Sequence, residues 1–186
     1  MLGAEQSGNV ASVGFDMFCR MLDEAVQEIR GEDVTHEVDP ELSFDVEALL
    51  PEEYIGDVGV RLSLYKRLAS AIDESHVMDI AAEMEDRFGA PPEEATRLVK
   101  LMALKTELRR LRVLGCEARA HLVTIHVGDR TSLDSDKVAA LVRKAKGVWK
   151  LTPDMRLSRR FADGEGDGLA NADRALSELA VCLKDG

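Results

Sequence analysis

The sequence predicts an α+β fold, with an N-terminal helix and linker preceding a helical cluster packed with a small mixed or antiparallel sheet. Three observations carry that expectation. Apolar residues recur at helical spacing over 12–30 and again over 57–113. After Gly115 the pattern shortens towards the alternation of strands, and it returns to helical spacing over 134–146 and 169–183. At 186 residues, 45% hydrophobic and 32% charged, the chain is long enough for one ordinary core, or for one core and a small satellite.

Each element has its own signal. Phe15, Phe18, Met21, Leu22, Ala25, Val26 and Ile29 form one apolar stripe, and Gly31 is placed to end that helix. Residues 32–53 read as an acidic connector with two extended pieces, 34–38 and 42–46, punctuated by Pro40 and Pro51. Asp57 can cap a helix to about Ile72, with Val58, Leu62, Tyr65 and Ala69 inward. Ser75 can cap a second helix that Gly89 ends. Pro91 and Pro92 open a third, whose Leu101, Leu104, Leu108 and Leu111 make it a structural spine. The run 118–127 reads as one or two strands, and Asp134 or Ser135 caps the next helix. Residues 148–151 and 155–158 form a hairpin around Pro153-Asp154. A Gly/Asp-rich loop at 163–168 leads into the last helix.

Composition narrows the function. No apolar run approaches the roughly 20 residues that span a bilayer, and residues 1–6 lack the regions of a secretory signal. Cys19, Cys116 and Cys182 are odd in number, far apart and set among apolar neighbours, so they read as inert buried thiols in a cytoplasmic protein. The net charge of −11 is uneven. Residues 1–60 hold 15 of the 35 acidic side chains and two of the 24 basic ones, a local balance of −13. Such a segment repels nucleic acid and attracts a basic surface, unless it is only solvated.

Catalytic signatures are missing. There is no phosphate-binding Gly-x-x-x-x-Gly-Lys-Ser/Thr loop, no Gly-x-Gly-x-x-Gly turn and no Gly-x-Ser-x-Gly elbow. The stretch Asp163–Gly168 imitates a calcium loop, but its twelfth position is Arg174 rather than a bidentate Glu. On a single strand His121 and His126 would point to opposite faces and could not share a metal. No catalytic or metal site is therefore expected.

Two charged surfaces remain. Lys105, Arg109 and Arg112 share one face of the third helix, a candidate for DNA contact whose alternative is a solvated face paired with Glu107. In the second helix, Asp79, Glu83 and Asp86 make an acidic stripe opposite Val77, Ile80, Ala81, Met84 and Phe88. An exposed stripe lacks the cleft that would tune a carboxylate for catalysis, so docking to a basic surface is the functional reading and a solvated face the bland one.

Two segments resemble a known family. The opening, Leu2-Gly3-Ala4-Glu5-Gln6-Ser7-Gly8 with Val13-Gly14-Phe15-Asp16, resembles the end of the translocation motif of bacterial transcription-repair coupling factors. Leu50-Pro51-Glu52-Glu53-Tyr54-Ile55, Asp57, Arg61-Leu62-Ser63-Leu64-Tyr65-Lys66-Arg67-Leu68-Ala69, Glu83 and Asp86-Arg87-Phe88-Gly89 are similar to the family's C-terminal regulatory domain. Residues 116–186 carry no such signature. The resemblance implies a fragment of a DNA translocase that couples stalled RNA polymerase to nucleotide excision repair. Residues 1–31 would be the end of the translocation motif and its helix, 32–53 a linker, and 54–186 the regulatory domain.

The implied function is autoinhibitory: the domain clamps the parent's UvrA-binding domain, with Glu83, Asp86 and Arg87 of the motif at the interface and Asp79 added to them by helix geometry. An accessory DNA-binding domain is the alternative. ATP and Mg would belong to the absent motor lobes, leaving no cofactor here and Gln6 a silent remnant. RNA polymerase, UvrA and DNA would be reached through the full-length protein. The helix over 12–30, without its motor lobe, is expected to lie outside the core or to self-associate.

Overall fold

The computed structural model describes residues 39–184, so Gln6, Cys19, His36, the helix expected over 12–30 and the extended piece 34–38 lie outside it. The chain divides into two compact units. One, Glu47–Ala103, is helical; the other is built from residues 39–46 and 104–184 and contains the sheet.

The helical unit holds α1 (Val58–Ala69), α2 (Glu74–Phe88) and the first half of α3 (Glu93–Leu111). Asp57 caps α1 by accepting a hydrogen bond from Val60 N at 2.9 Å. The inward face differs from the expected one. Ala69 is buried as expected, but Val58 and Leu62 are 58% and 44% exposed, whereas Leu64 and Leu68 are buried. The polar tips on that side explain the rotation. Arg61 donates to Ile55 O at 2.5 Å and to Gly56 O at 3.1 Å, while Leu50 N donates to the Tyr65 hydroxyl at 2.7 Å. The face holding Arg61, Leu64, Tyr65 and Leu68 must therefore turn to the segment at 50–56, where Leu50 and Ile55 are themselves buried.

Asp73, not Ser75, caps α2, accepting from His76 N at 2.8 Å; the Ser75 hydroxyl donates to the cap carboxylate. Val77, Ile80 and Met84 are buried, and Gly89 ends the helix at φ +85°, a conformation that favours glycine. The α3 leucines at 101, 104, 108 and 111 are all buried, as the spine reading requires.

The second unit carries a mixed five-stranded sheet in the order β1-β2-β3-β5-β4. Its strands are β1 (Glu41–Phe44), β2 (Gly115–Arg119), β3 (Leu122–His126), β4 (Trp149–Leu151) and β5 (Arg156–Arg160). β1 runs parallel to β2, and the remaining neighbours are antiparallel. The acidic connector therefore contributes an edge strand. Its approach is close: a Cβ on Gly115 would lie 2.8 Å from Glu41 O, so glycine is required there. The helices of this unit are α4 (Ser135–Lys144), capped by Asp134, and α5 (Gly168–Leu179), capped by Asp167; a 3-10 turn follows at Ala180–Cys182. α5 covers β2 and β3. Asn171, fully buried, donates to Ala120 O at 2.8 Å and ties that helix to the β2–β3 turn.

Candidate functional site: the outer face of α2

The motif residues around α2 form a network of internal bonds. Tyr54 donates its hydroxyl to Gly89 O at 2.9 Å and meets Phe88 edge-on, with ring centroids 6.1 Å apart. Glu83 lies between two arginines: Arg67 of α1 at 2.5 Å from Oε2, and Arg87 one turn along α2 at 2.6 Å from Oε1. Arg87 also places its guanidinium 4.9 Å from the Phe88 ring centre. Hydrogen bonds from Arg67, and then from Arg87, hold the Glu83 carboxyl down at about 2. Its side chain is a third exposed, so water screens part of this attraction.

The expected four-residue interface therefore splits into two pairs. Glu83 and Arg87 are engaged within the molecule and join α2 to α1. Asp79 and Asp86 are exposed and have no cationic partner among the described residues. Beside them on the helix face lie Ala82 and Met78, the latter 53% exposed. This exposed face presents two unpaired carboxylates beside a small apolar patch, on a helix tied to α1 by the Arg67–Glu83 pair. The missed signal was Arg67, four residues after Ser63 within a motif whose pairing with Glu83, 16 positions on, no helix period could reveal.

The basic candidate dissolves. Lys105 is buried, 6% exposed, and its ammonium sits 2.9 Å from Asp39; Arg109 reaches the same carboxylate at 2.8 Å. Burial opposes ionisation of Asp39, but the Lys105 charge and hydrogen bonds from Lys105 and Arg109 outweigh it and lower its pKa. Arg112 lies beyond the end of α3 at φ +52°, so it leaves the face that the helical spacing assigned to it. These three do not form an open cationic surface. The neighbouring Arg110 pairs with Glu107 at 2.6 Å, as expected of a solvated turn.

The other candidate sites are structural. His121 lies 3.2 Å from Asp163, whereas His126 Nε2 is 3.0 Å from Glu117 without the direction of a hydrogen bond. Among the described residues no group of three or more His, Cys, Asp or Glu side chains could hold a metal. Cys116 and Cys182 are buried, and burial pushes the Cys116 thiol up to about 12, far from nucleophilic. No helix of the described residues is long and apolar enough to cross a membrane.

Comparison with known proteins decides the parentage. The TRCF domain model matches residues 44–138. A transcription-repair-coupling factor of Myxococcus xanthus is 39% identical over 184 residues, which is 98% of this chain. The chain belongs to the transcription-repair-coupling factor family. The Escherichia coli protein of that name is 30% identical over 163 residues, or 84% of the chain. A solved C-terminal domain of transcription-repair coupling factor superposes with a TM-score of 0.60 at 19% identity, covering 76% of this chain and 93% of that one. The α+β fold is thus the fold of that C-terminal domain. The chain spans about 15% of the length of the Myxococcus protein.

Proposed function

We propose that this chain is the non-catalytic, autoinhibitory end of a DNA translocase, and that the outer face of α2 docks on the parent's UvrA-binding domain. The observation that carries the reading is the pair of free carboxylates, Asp79 and Asp86, on a helix held in place by Arg67, Glu83 and Arg87. A basic surface on the UvrA-binding domain would complement them. A few exposed charge pairs worth about 0.2–1 kcal/mol each make a contact that a partner can open. Closure and release then form a two-state equilibrium, biased whenever RNA polymerase, UvrA or DNA engages other parts of the parent. ATP and Mg act at the motor lobes, and this chain binds neither. Glu83 and Arg87 are positioning residues in this scheme.

The test is the UvrA affinity of the full-length parent, wild type against Asp86→Lys and Asp79→Lys/Asp86→Lys. Charge reversal turns attraction into repulsion, so UvrA should bind about 5-fold tighter or more. Unchanged affinity in a folded variant sinks the clamp.

A further inference from the structure

Between Arg143 and Arg160 the chain carries seven basic side chains and one acidic one, Asp154, although the protein as a whole has a net charge of −11. The sheet brings part of this excess onto one face. Register puts Lys150 opposite Ser158 and Ser158 opposite Thr124; one row along, Arg160 is opposite Leu122 and Leu122 opposite Arg119. The alternate residues Trp149, Leu157, Val123 and Ile125 are at most 2% exposed, so they mark the covered face. Lys150, Arg160 and Arg119 are exposed on the opposite one.

Around them Thr124 is buried, and Leu122, 40% exposed, stands between Arg160 and Arg119. Lys150 and Arg160 have no carboxylate partner among the described residues, and the Arg119 guanidinium touches only Ala118 O, at 3.4 Å. In their midst the Thr124 and Ser158 hydroxyls lie 3.2 Å apart. The same face also carries Glu117, opposite Thr124 in the register, which lies 3.7 Å from Arg156; Arg156 is in turn 2.9 Å from Asp154. Arg119, Lys150 and Arg160 are then the cations of this face without an acidic partner among the described residues.

We infer that this open sheet face, through Arg119, Lys150 and Arg160, binds the phosphate backbone of duplex nucleic acid. Neighbouring strands stand about 4.8 Å apart, so Arg160 and Arg119, two strands from each other, are spread about 10 Å across the face. Guanidinium, ammonium and hydroxyl groups are the side chains that contact phosphate oxygens. No aromatic ring lies among them for a base to stack on, which favours a duplex over a single strand and predicts no sequence preference. An acidic protein fits less well, because such interfaces are anchored on several aromatic or large apolar side chains and Leu122 is the single apolar side chain between Arg119 and Arg160. The inference is independent of the α2 clamp and uses none of its residues.

The test is fluorescence anisotropy of a labelled duplex of about 20 base pairs with the whole chain, at low and at fourfold higher salt. Three neutralised phosphates predict a loss of affinity of about 40-fold across that change. Lys150→Gln/Arg160→Gln should weaken binding about 10-fold, and Lys150→Glu/Arg160→Glu more, while Arg130→Glu/Arg174→Glu, at exposed positions elsewhere in the unit, changes it less than about 2-fold. Circular dichroism confirms that each variant is folded. Three results would each overturn the inference: no binding at low salt, equal weakening by both reversed pairs, or polyglutamate bound as tightly as the duplex.

Discussion

Each of the two units is held together internally, and by different means. In the helical unit the bonds that orient α1 and α2 come from motif residues: Tyr54, Asp57, Arg61, Tyr65, Arg67 and Glu83. In the sheet unit the comparable bonds come from residues outside those motif segments. Lys105 finds Asp39 across 66 positions, and Glu178 accepts from the Trp149 indole at 2.7 Å and from Arg159 at 2.6 Å. Arg159 in turn lies 3.9 Å over the Phe161 ring. The difference teaches what a familiar motif means. Most of its specific residues fix helices in place, and the carboxylates left unpaired are Asp86 of the motif and Asp79 beside it.

The largest effect expected from breaking either unit is a core truncation. Leu157 is fully buried at the centre of the sheet, and Ile80 is 1% exposed in α2. Leu157→Ala and Ile80→Ala should each cost about 2–5 kcal/mol, read from the denaturant midpoint. A cost below about 1 kcal/mol for Leu157→Ala would mean that the sheet is not packed as described.

Next in size is the Glu178 site. Removing the carboxylate in Glu178→Ala leaves the Trp149 N–H, in a side chain only 2% exposed, without its acceptor. The cost should be about 1–3 kcal/mol, and Glu178→Gln should recover part of it because its amide oxygen still accepts. Trp149 is the only tryptophan, so its emission reports the site directly. An unshifted spectrum in Glu178→Ala would break the claimed contrast between the units.

How much of this was legible follows from the same contrast. Helix periods, proline and glycine punctuation and the Asp57 and Asp134 caps are local signals, and the α+β order of elements could be read from them. The rotation of α1 could not, because Val58/Leu62 and Leu64/Leu68 are both apolar pairs at i, i+4 and only the tertiary bonds of Arg61 and Tyr65 choose between them. The basic face of α3 was misread for a related reason. Spacing locates a side chain on a helix, but it cannot show that Asp39 buries Lys105 or that the chain leaves the helix at Leu111. The open sheet face was missed altogether, since its cations become neighbours only through strand register.

A pH titration separates the units more finely. Glu83 has a folded pKa of about 2 against an ordinary 4.5, so its contribution is fully present above about 4.5 and disappears as pH falls towards 2. Asp39, whose pKa is also lowered, contributes with the same sign in the sheet unit. Replacing Glu83 with Gln should flatten the acid limb of the melting temperature below about pH 4.5 while leaving the shape above it unchanged. An acid limb identical to wild type would show that the Arg67–Glu83–Arg87 chain contributes nothing in solution.

The smallest effect is expected at the residues assigned to docking, and it sharpens the division within α2. Asp79 and Asp86 make no ion pair among the described residues, so Asp79→Asn and Asp86→Asn should each change stability by less than about 0.5 kcal/mol. Glu83→Lys, on the same stripe, places a third cation against Arg67 and Arg87 and should lower the melting temperature measurably. Sequence spacing alone made the three positions equivalent; their ion pairs make them unequal. Thermal melts of the three variants side by side decide the matter. If Glu83→Lys melts with wild type, the stripe is uniform and Glu83 belongs with the docking residues. If Asp86→Asn melts lower by as much as Glu83→Lys, Asp86 is structural too and the free docking face shrinks to Asp79.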